Sequence, residues 1–81
     1  MTDNEVNKIL TEALGEGHHY TNNMSALSDI WIKYKLSASL RFYQESNVWV
    51  CYFVGLGAIE KDTRLVKTAA HATAKAILEF K

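Results

Sequence analysis

Hydrophobic residues recur at two different periods along the chain, and these periods divide it into helices and strands. In residues 3–14, and again after Asn23, apolar side chains recur every three to four positions, which predicts amphipathic helices. From residue 38 the period becomes two, which is typical of strands. A third helical stretch runs from about residue 63 to residue 80. The predicted order is therefore α-α-β-β-α, with a short third strand at residues 58–60 as an alternative.

Local signals set the ends of the first two helices. Thr2 and Glu5 have the spacing of a capping box, in which each residue satisfies a backbone N–H of the other. Gly15 tolerates the left-handed conformation that follows a helix end, so the first helix is predicted over 3–14. Thr21 or Asn23 is predicted to cap the second helix. Its predicted buried face contains Leu27, Ile30, Trp31 and Tyr34.

The strand at residues 48–56 is predicted to be the centre of the fold. It contains eight apolar residues and one glycine, and it carries no charge. Because both of its faces are apolar, both are predicted to be covered. The preceding strand, residues 38–45, alternates polar and apolar positions and joins it through a hairpin turn at 45–47. We therefore predict a single α+β domain over 1–81, with a small antiparallel sheet sandwiched by helices.

A sheet of two or three strands leaves strand edges without partners. An apolar strand at such an edge pairs readily with another chain. We therefore expect a free edge on the 48–56 strand and a homodimer formed through it.

Charge is balanced overall but unevenly distributed. The net charge is zero, which argues against a generic nucleic-acid-binding protein. Residues 1–30 contain one basic and five acidic residues, a net charge of −4, whereas residues 31–81 contain eight basic and four acidic residues, a net charge of +4. This asymmetry fits either an oriented partner or two oppositely charged solvent-facing surfaces.

Cysteine usage and hydropathy bear on location. The single cysteine, Cys51, excludes an internal disulfide and favours a reducing, cytoplasmic environment. The sequence has no run of about 18 apolar residues, which a membrane helix requires. Its first residues are acidic and lack the order of a signal peptide. We expect a cytoplasmic protein without membrane association.

The residues with catalytic or metal-binding potential lack the spacing that such chemistry requires. His18 and His19 are adjacent and have no further ligand at a matching distance in the sequence. Cys51 lies in the middle of the predicted central strand, where an inert thiol is expected. The glycines form two isolated Gly-x-Gly pairs, not a phosphate-binding loop. We predict no enzyme activity, no metal and no cofactor.

Two sets of residues are candidates for binding. The first set consists of large aromatic residues, which either form a contact surface or fill the core of a small domain. They are Trp31, Tyr34, Tyr43, Trp49 and Tyr52. The second set is a row at helical spacing on the last helix, which is either a solvated face or a contact for nucleic-acid phosphates. It contains Arg64, Lys67, His71 and Lys75.

Three segments resemble the phage ABA-sandwich domain, a family of small α/β proteins. Residues 6–15 resemble its opening helix, which ends in glycine. Residues 19–31, HYTNNMSALSDIW, are similar to its "HYSTD…AAW" segment, and residues 68–78 resemble its closing "TAPEAICRAAL" helix. The resemblance implies a phage-encoded protein located in the host cytoplasm, and it implies no catalytic residues.

The second half of the chain also resembles a double-stranded-RNA-binding domain. In that family a strand leads through a glycine-containing loop into a helix of the type "KKxAKxxAAxxAL". The residues that fit are Gly55, Gly57, Lys67, Ala69, Thr73, Ala74, Ile77 and Leu78. This resemblance implies nucleic-acid binding through the last helix.

Three functions follow as hypotheses. The first is a non-enzymatic phage accessory protein that binds a host protein, by analogy one belonging to a defence system or another host process. The second is a nucleic-acid-binding module that uses the basic row. The third is a virion component, which the presence of the protein in purified particles would establish.

Overall fold

The described part of the chain folds into three helices and a three-stranded antiparallel sheet. The structure is a computed structural model that describes residues 1–57 and 59–79. The elements are α1 (Asp3–Leu14), a 3-10 turn (Tyr20–Asn22), α2 (Met24–Tyr34), β1 (Ala38–Tyr43), β2 (Val48–Phe53), β3 (Ile59–Asp62) and α3 (Leu65–Glu79). The α+β class is confirmed, and so is the third strand. Ala58 and Phe80, predicted in the third strand and the last helix, lie outside the described residues.

The predicted ends of α1 are confirmed. The Thr2 hydroxyl accepts a hydrogen bond from the Glu5 backbone N–H, and the Glu5 carboxylate accepts one from the Thr2 backbone N–H. Gly15 follows the helix with a φ of 86°, and its N–H donates to the Thr11 carbonyl. Asn23 caps α2 by accepting a hydrogen bond from the Ala26 N–H. These local contacts explain why the sequence predicts both helix starts correctly.

β2 is the middle strand of the sheet, so the predicted free edge on this strand is wrong. It pairs with β1 on one side and with β3 on the other, both antiparallel. The edges belong to β1 and β3. The strand also ends at Phe53 and not at residue 56, because Gly55 turns the chain with a φ of 83° and the Leu56 N–H donates to the Phe53 carbonyl.

The last helix, α3, lies between two layers. One side packs on β2 and β3, and the other contacts α1, α2 and the 3-10 turn. As a result nine of its residues are buried, including every residue from Thr68 to Ala74. From Thr68 to Ala74 the helix is buried on all sides, so it needs small side chains where its neighbours approach closely, and this explains the alanines there.

The described helices cover one face of the sheet and not the other, so the prediction that both faces of the central strand are covered is wrong for the residues that the structure describes. Leu40, Cys51 and Phe53 face the helices and belong to the core. Val48, Val50 and Tyr52 alternate with them on the opposite face and are not part of that core. The physical reason is that α1 and α2 pack on α3, so none of the helices in residues 1–57 and 59–79 is left to cover the second face.

Candidate functional site

The basic row on α3 forms ion pairs that connect it to other elements. The His71 Nε2 lies 2.8 Å from the Asp3 carboxylate, and the Lys67 ammonium lies 3.8 Å from the same group. Lys67 is also 3.7 Å from Asp62, at the end of β3. Because Asp3 is the first residue of α1, these contacts join the start of the first helix to the last helix. His71 is itself buried.

The outer members of the row are also paired with carboxylates. The Arg64 guanidinium lies 3.4 Å from Asp62, and the Lys75 ammonium lies 2.5 Å from Glu60 on β3. The four predicted residues therefore lie along one surface, with Arg64 just before α3 and the other three on it, and each has an acidic neighbour. A phosphate would have to compete with these carboxylates, so the geometry favours a structural role for the row.

These contacts lower the pKa of two carboxyl groups. The hydrogen bond with His71 is the main cause for Asp3, and the positive charges of Lys67 and Arg64 act in the same direction. Partial burial acts to raise the pKa of Asp62. The backbone N–H and guanidinium of Arg64 outweigh it, so that pKa is also lowered. Both groups are therefore ionised at neutral pH and hold the cations in place.

Two of the predicted contact aromatics are part of the packing. The Trp31 indole N–H donates to the Thr73 hydroxyl at 2.9 Å, and the Trp31 and Phe53 rings form a T-shaped pair with centroids 6.1 Å apart. The Tyr34 hydroxyl donates to the Ala13 carbonyl at 3.2 Å, near the end of α1. Both side chains are half-buried and attach α2 to its neighbours, and these contacts favour a packing role for them.

The other three aromatics lie on the sheet, on opposite faces. Trp49 is on the helix-side face beside Phe42, with ring centroids 5.1 Å apart, near the outer end of the β1–β2 hairpin. Tyr43 and Tyr52 are on the other face. Phe42 and Tyr43 are 43 % and 48 % exposed, so the end of the hairpin presents aromatic rings to solvent. An open groove at this end is lined by residues 42–46.

We call the face opposite the helices the open face. Strand alternation and register give it the described side chains Ser39, Arg41, Tyr43, Val48, Val50, Tyr52 and Lys61. Arg41 and Lys61 lie directly opposite Val50, one on each neighbouring strand. Within the described part of the chain, neither cation has a carboxylate partner. All charged side chains described on this face are therefore positive, and they flank an apolar centre.

Sequence reasoning placed only Tyr43 and Tyr52 of this face among the candidate residues. The alternation of β1 already grouped Arg41 with Tyr43 on a polar face. Its importance was not apparent, because both faces of β2 are apolar and the sequence does not indicate which of them the helices cover. Lys61 was missed because the third strand is short and rich in charge.

Nucleophiles and metal ligands are not brought together in the described part of the chain. Cys51 is fully buried, and burial raises the pKa of its thiol to about 12, so it is an unreactive thiol at neutral pH. The His18 ring lies 3.2 Å from the Glu16 carboxylate on an exposed loop. Residues 1–57 and 59–79 contain no group of three His, Cys, Asp or Glu side chains placed to hold a metal ion. None of their helices has the length and apolar character needed to cross a membrane.

Comparison with known proteins assigns the chain to no family. No family model matches it, and no curated protein or solved structure matches it. The resemblances to the phage ABA-sandwich domain and to the double-stranded-RNA-binding domain therefore stay predictions.

Proposed function

We propose that this chain is a non-enzymatic binding protein and that its open face is the surface that contacts a partner protein. The observation that carries the proposal is the pair of cations, Arg41 and Lys61, on either side of the Val50 position, without carboxylate partners in the described part of the chain. The other charged and aromatic residues considered, such as Lys67 and Trp31, already have partners within the fold.

The chemistry of the open face indicates what kind of surface would fit it. Its apolar centre suits an apolar contact, and Tyr43 and Tyr52 add aromatic side chains of the kind that dominate protein interfaces. Its two cations favour a partner that presents carboxylates around that contact, since charge complementarity guides association and selects partners. We therefore propose an acidic protein surface as the occupant.

The source of the partner is proposed from the family resemblance alone. If the chain is a phage accessory protein, as the ABA-sandwich resemblance implies, the partner is a host protein in the cytoplasm. Binding would then act by occlusion, because the face covers a surface without carrying any reactive group. A host defence component is the class that we propose to examine first.

Affinity capture from host lysate tests the proposal when three forms of the chain are compared. The parent chain should retain a protein that the double variant Arg41→Glu/Lys61→Glu loses. The matched control, Lys8→Glu/Lys35→Glu, changes the net charge equally on exposed residues away from the open face and should retain the protein. Equal retention by all three forms would contradict the proposal.

A second candidate is single-stranded nucleic acid. It is favoured by the combination of tyrosines and cations on one sheet face, because such surfaces stack bases and attract phosphates. Labelled single-stranded and double-stranded oligonucleotides at about 50 and 200 mM salt test it directly. Retention at low salt that is lost on Arg41→Glu/Lys61→Glu would support this candidate, and the absence of retention would exclude it. Nuclease treatment of the lysate separates it from protein capture.

A further inference from the structure

The outer edge of β1 lacks the features that normally prevent strand pairing. It is six residues long and, among the residues that the structure describes, it pairs with another strand on one side only. Its register with β2 is continuous, so no bulge twists the edge away, and the chain contains no proline. Arg41 is its single charged residue. β3, in contrast, places three successive charged residues at the other edge, Glu60 to Asp62. Exposed edges without such protection favour pairing with a further strand.

The hydrogen bonds between β1 and β2 determine which backbone groups of β1 point outward. The Val54 N–H donates to the Ser37 carbonyl at 3.1 Å, so these residues form a hydrogen-bonded pair in the same register as the strands. In an antiparallel ladder such pairs alternate along the strand. The backbone groups of Ser39, Arg41 and Tyr43 therefore point toward β2. Those that point outward belong to Ala38, Leu40 and Phe42.

We propose that a second copy of this chain occupies the β1 edge, with the two β1 strands antiparallel and Leu40 opposite Leu40 of the second copy. Residues whose backbone groups point outward must lie opposite residues of the second copy whose backbone groups also point outward. Only every second register of a two-fold pairing meets this condition. The register centred on Leu40 contains three hydrogen-bonded pairs, which would form about six new backbone hydrogen bonds. It pairs residues 38–42 with the same residues of the second copy, and only Tyr43, opposite Ser37, extends beyond the end of the second β1 strand.

Side-chain size and charge select this register among the allowed ones. On the helix-side face it places Phe42, which is 43 % exposed, opposite the small Ala38 of the second copy. On the open face it places Arg41 opposite Ser39. The next allowed register places Arg41 directly opposite Arg41, and like charges in that position are unfavourable. The neighbouring allowed register in the opposite direction leaves Phe42 beyond the end of the second β1 strand.

The pairing would join the two sheets into one six-stranded sheet, with the two open faces forming a continuous surface. The inference is independent of the proposed function, because the pairing needs no partner protein bound to the open face. It differs from the sequence prediction in the strand concerned, since β2 has no free edge.

Disulfide trapping in the full chain tests both the dimer and its register. The variants Ser39→Cys and Arg41→Cys are mixed, one of them carrying a tag, and oxidised at rising protein concentration. The proposed register predicts that the mixed disulfide, which links one variant to the other, forms several-fold faster than either homodisulfide. Cys51 can stay in place because it is buried and its thiol is inert. A mixture of Ser39→Cys with Lys61→Cys, on β3, is the matched control.

Each outcome decides the proposal. A mass that shifts from one chain to two with concentration, together with preferred mixed cross-linking, would support it. A mass of one chain across the concentration range with no enriched disulfide would overturn the dimer. A dimer in which Ser39→Cys, which keeps Arg41, links mainly to itself, or in which the mixed disulfide is not enriched, would overturn the register. Circular dichroism of each variant verifies that the fold is retained.

Discussion

Replacing Thr73 with valine removes the acceptor of the Trp31 indole N–H while keeping the side chain nearly the same size. The hydroxyl is fully buried on α3, and the bond joins two helices through residues that are 42 positions apart in the chain. The variant leaves the indole N–H without its protein partner. Leaving such a group unsatisfied costs about 1–2 kcal/mol of the free energy of unfolding. For a domain of this size that loss lowers the melting temperature by roughly 4–15 °C.

A double-mutant cycle separates this bond from general packing loss. Trp31→Phe removes the donor. In this background, Thr73→Val no longer leaves an indole N–H without an acceptor. The cost of the double variant should be smaller than the sum of the single costs by about 1 kcal/mol. Urea unfolding followed by far-ultraviolet circular dichroism measures all four forms, since the backbone dominates this signal and each form is compared with its own folded and unfolded baselines. A coupling energy below about 0.3 kcal/mol would refute the assignment of Trp31 as an internal connection.

Three further predictions follow from the ion pairs and the thiol. The pKa of Asp3 is lower in the folded chain than the unfolded value of 3.8, so the Asp3 carboxylate stabilises the fold above that value, and this contribution is lost as the pH falls through the lower folded pKa. Asp3→Asn should therefore reduce the fall in the free energy of unfolding that occurs as the pH is lowered into the acid range. The Cys51 thiol, with a pKa raised to about 12, should react with a thiol reagent at a pH of about 8 only after denaturant is added, and rapid reaction of the native chain would contradict its burial. Lys67→Glu/Lys75→Glu should lower the free energy of unfolding by about 1–2 kcal/mol without changing partner binding, because these residues face carboxylates within the fold. Loss of binding in a variant that stays fully folded would instead indicate that the basic row contacts the partner.

Short-range signals in the sequence were sufficient to predict the helices. The capping box at Thr2 and the glycine at position 15 set both ends of α1 through contacts within four residues. The period of two likewise predicts β1 and β2. The end of β2 was placed too late because Val54 and Leu56 continue the apolar pattern through a turn. A turn at Gly55 depends on backbone conformation, which hydropathy does not report.

The candidate site could not be predicted in the same way, because it depends on contacts between distant parts of the chain. The row on α3 has the spacing of a charged solvent face, but its carboxylate partners include Asp3, which is 68 residues before His71. Which residues form the open face depends on which face of β2 the helices pack against. The covered side is determined by the burial of α3 between two layers, and the sequences of β1 and β2 alone do not indicate it.

The contact function of the open face is tested most directly at Val50, between Arg41 and Lys61 in the register of the sheet. In Val50→Asp the new carboxylate would neutralise both cations from within the chain, without removing either of them. Val50→Thr is the matched polar control. Calorimetric titration with the captured partner protein should show affinity at least about ten-fold weaker for Val50→Asp, a loss of about 1.4 kcal/mol, and near-parental affinity for Val50→Thr. Parental affinity for a folded Val50→Asp would contradict the assignment of this face as the binding surface.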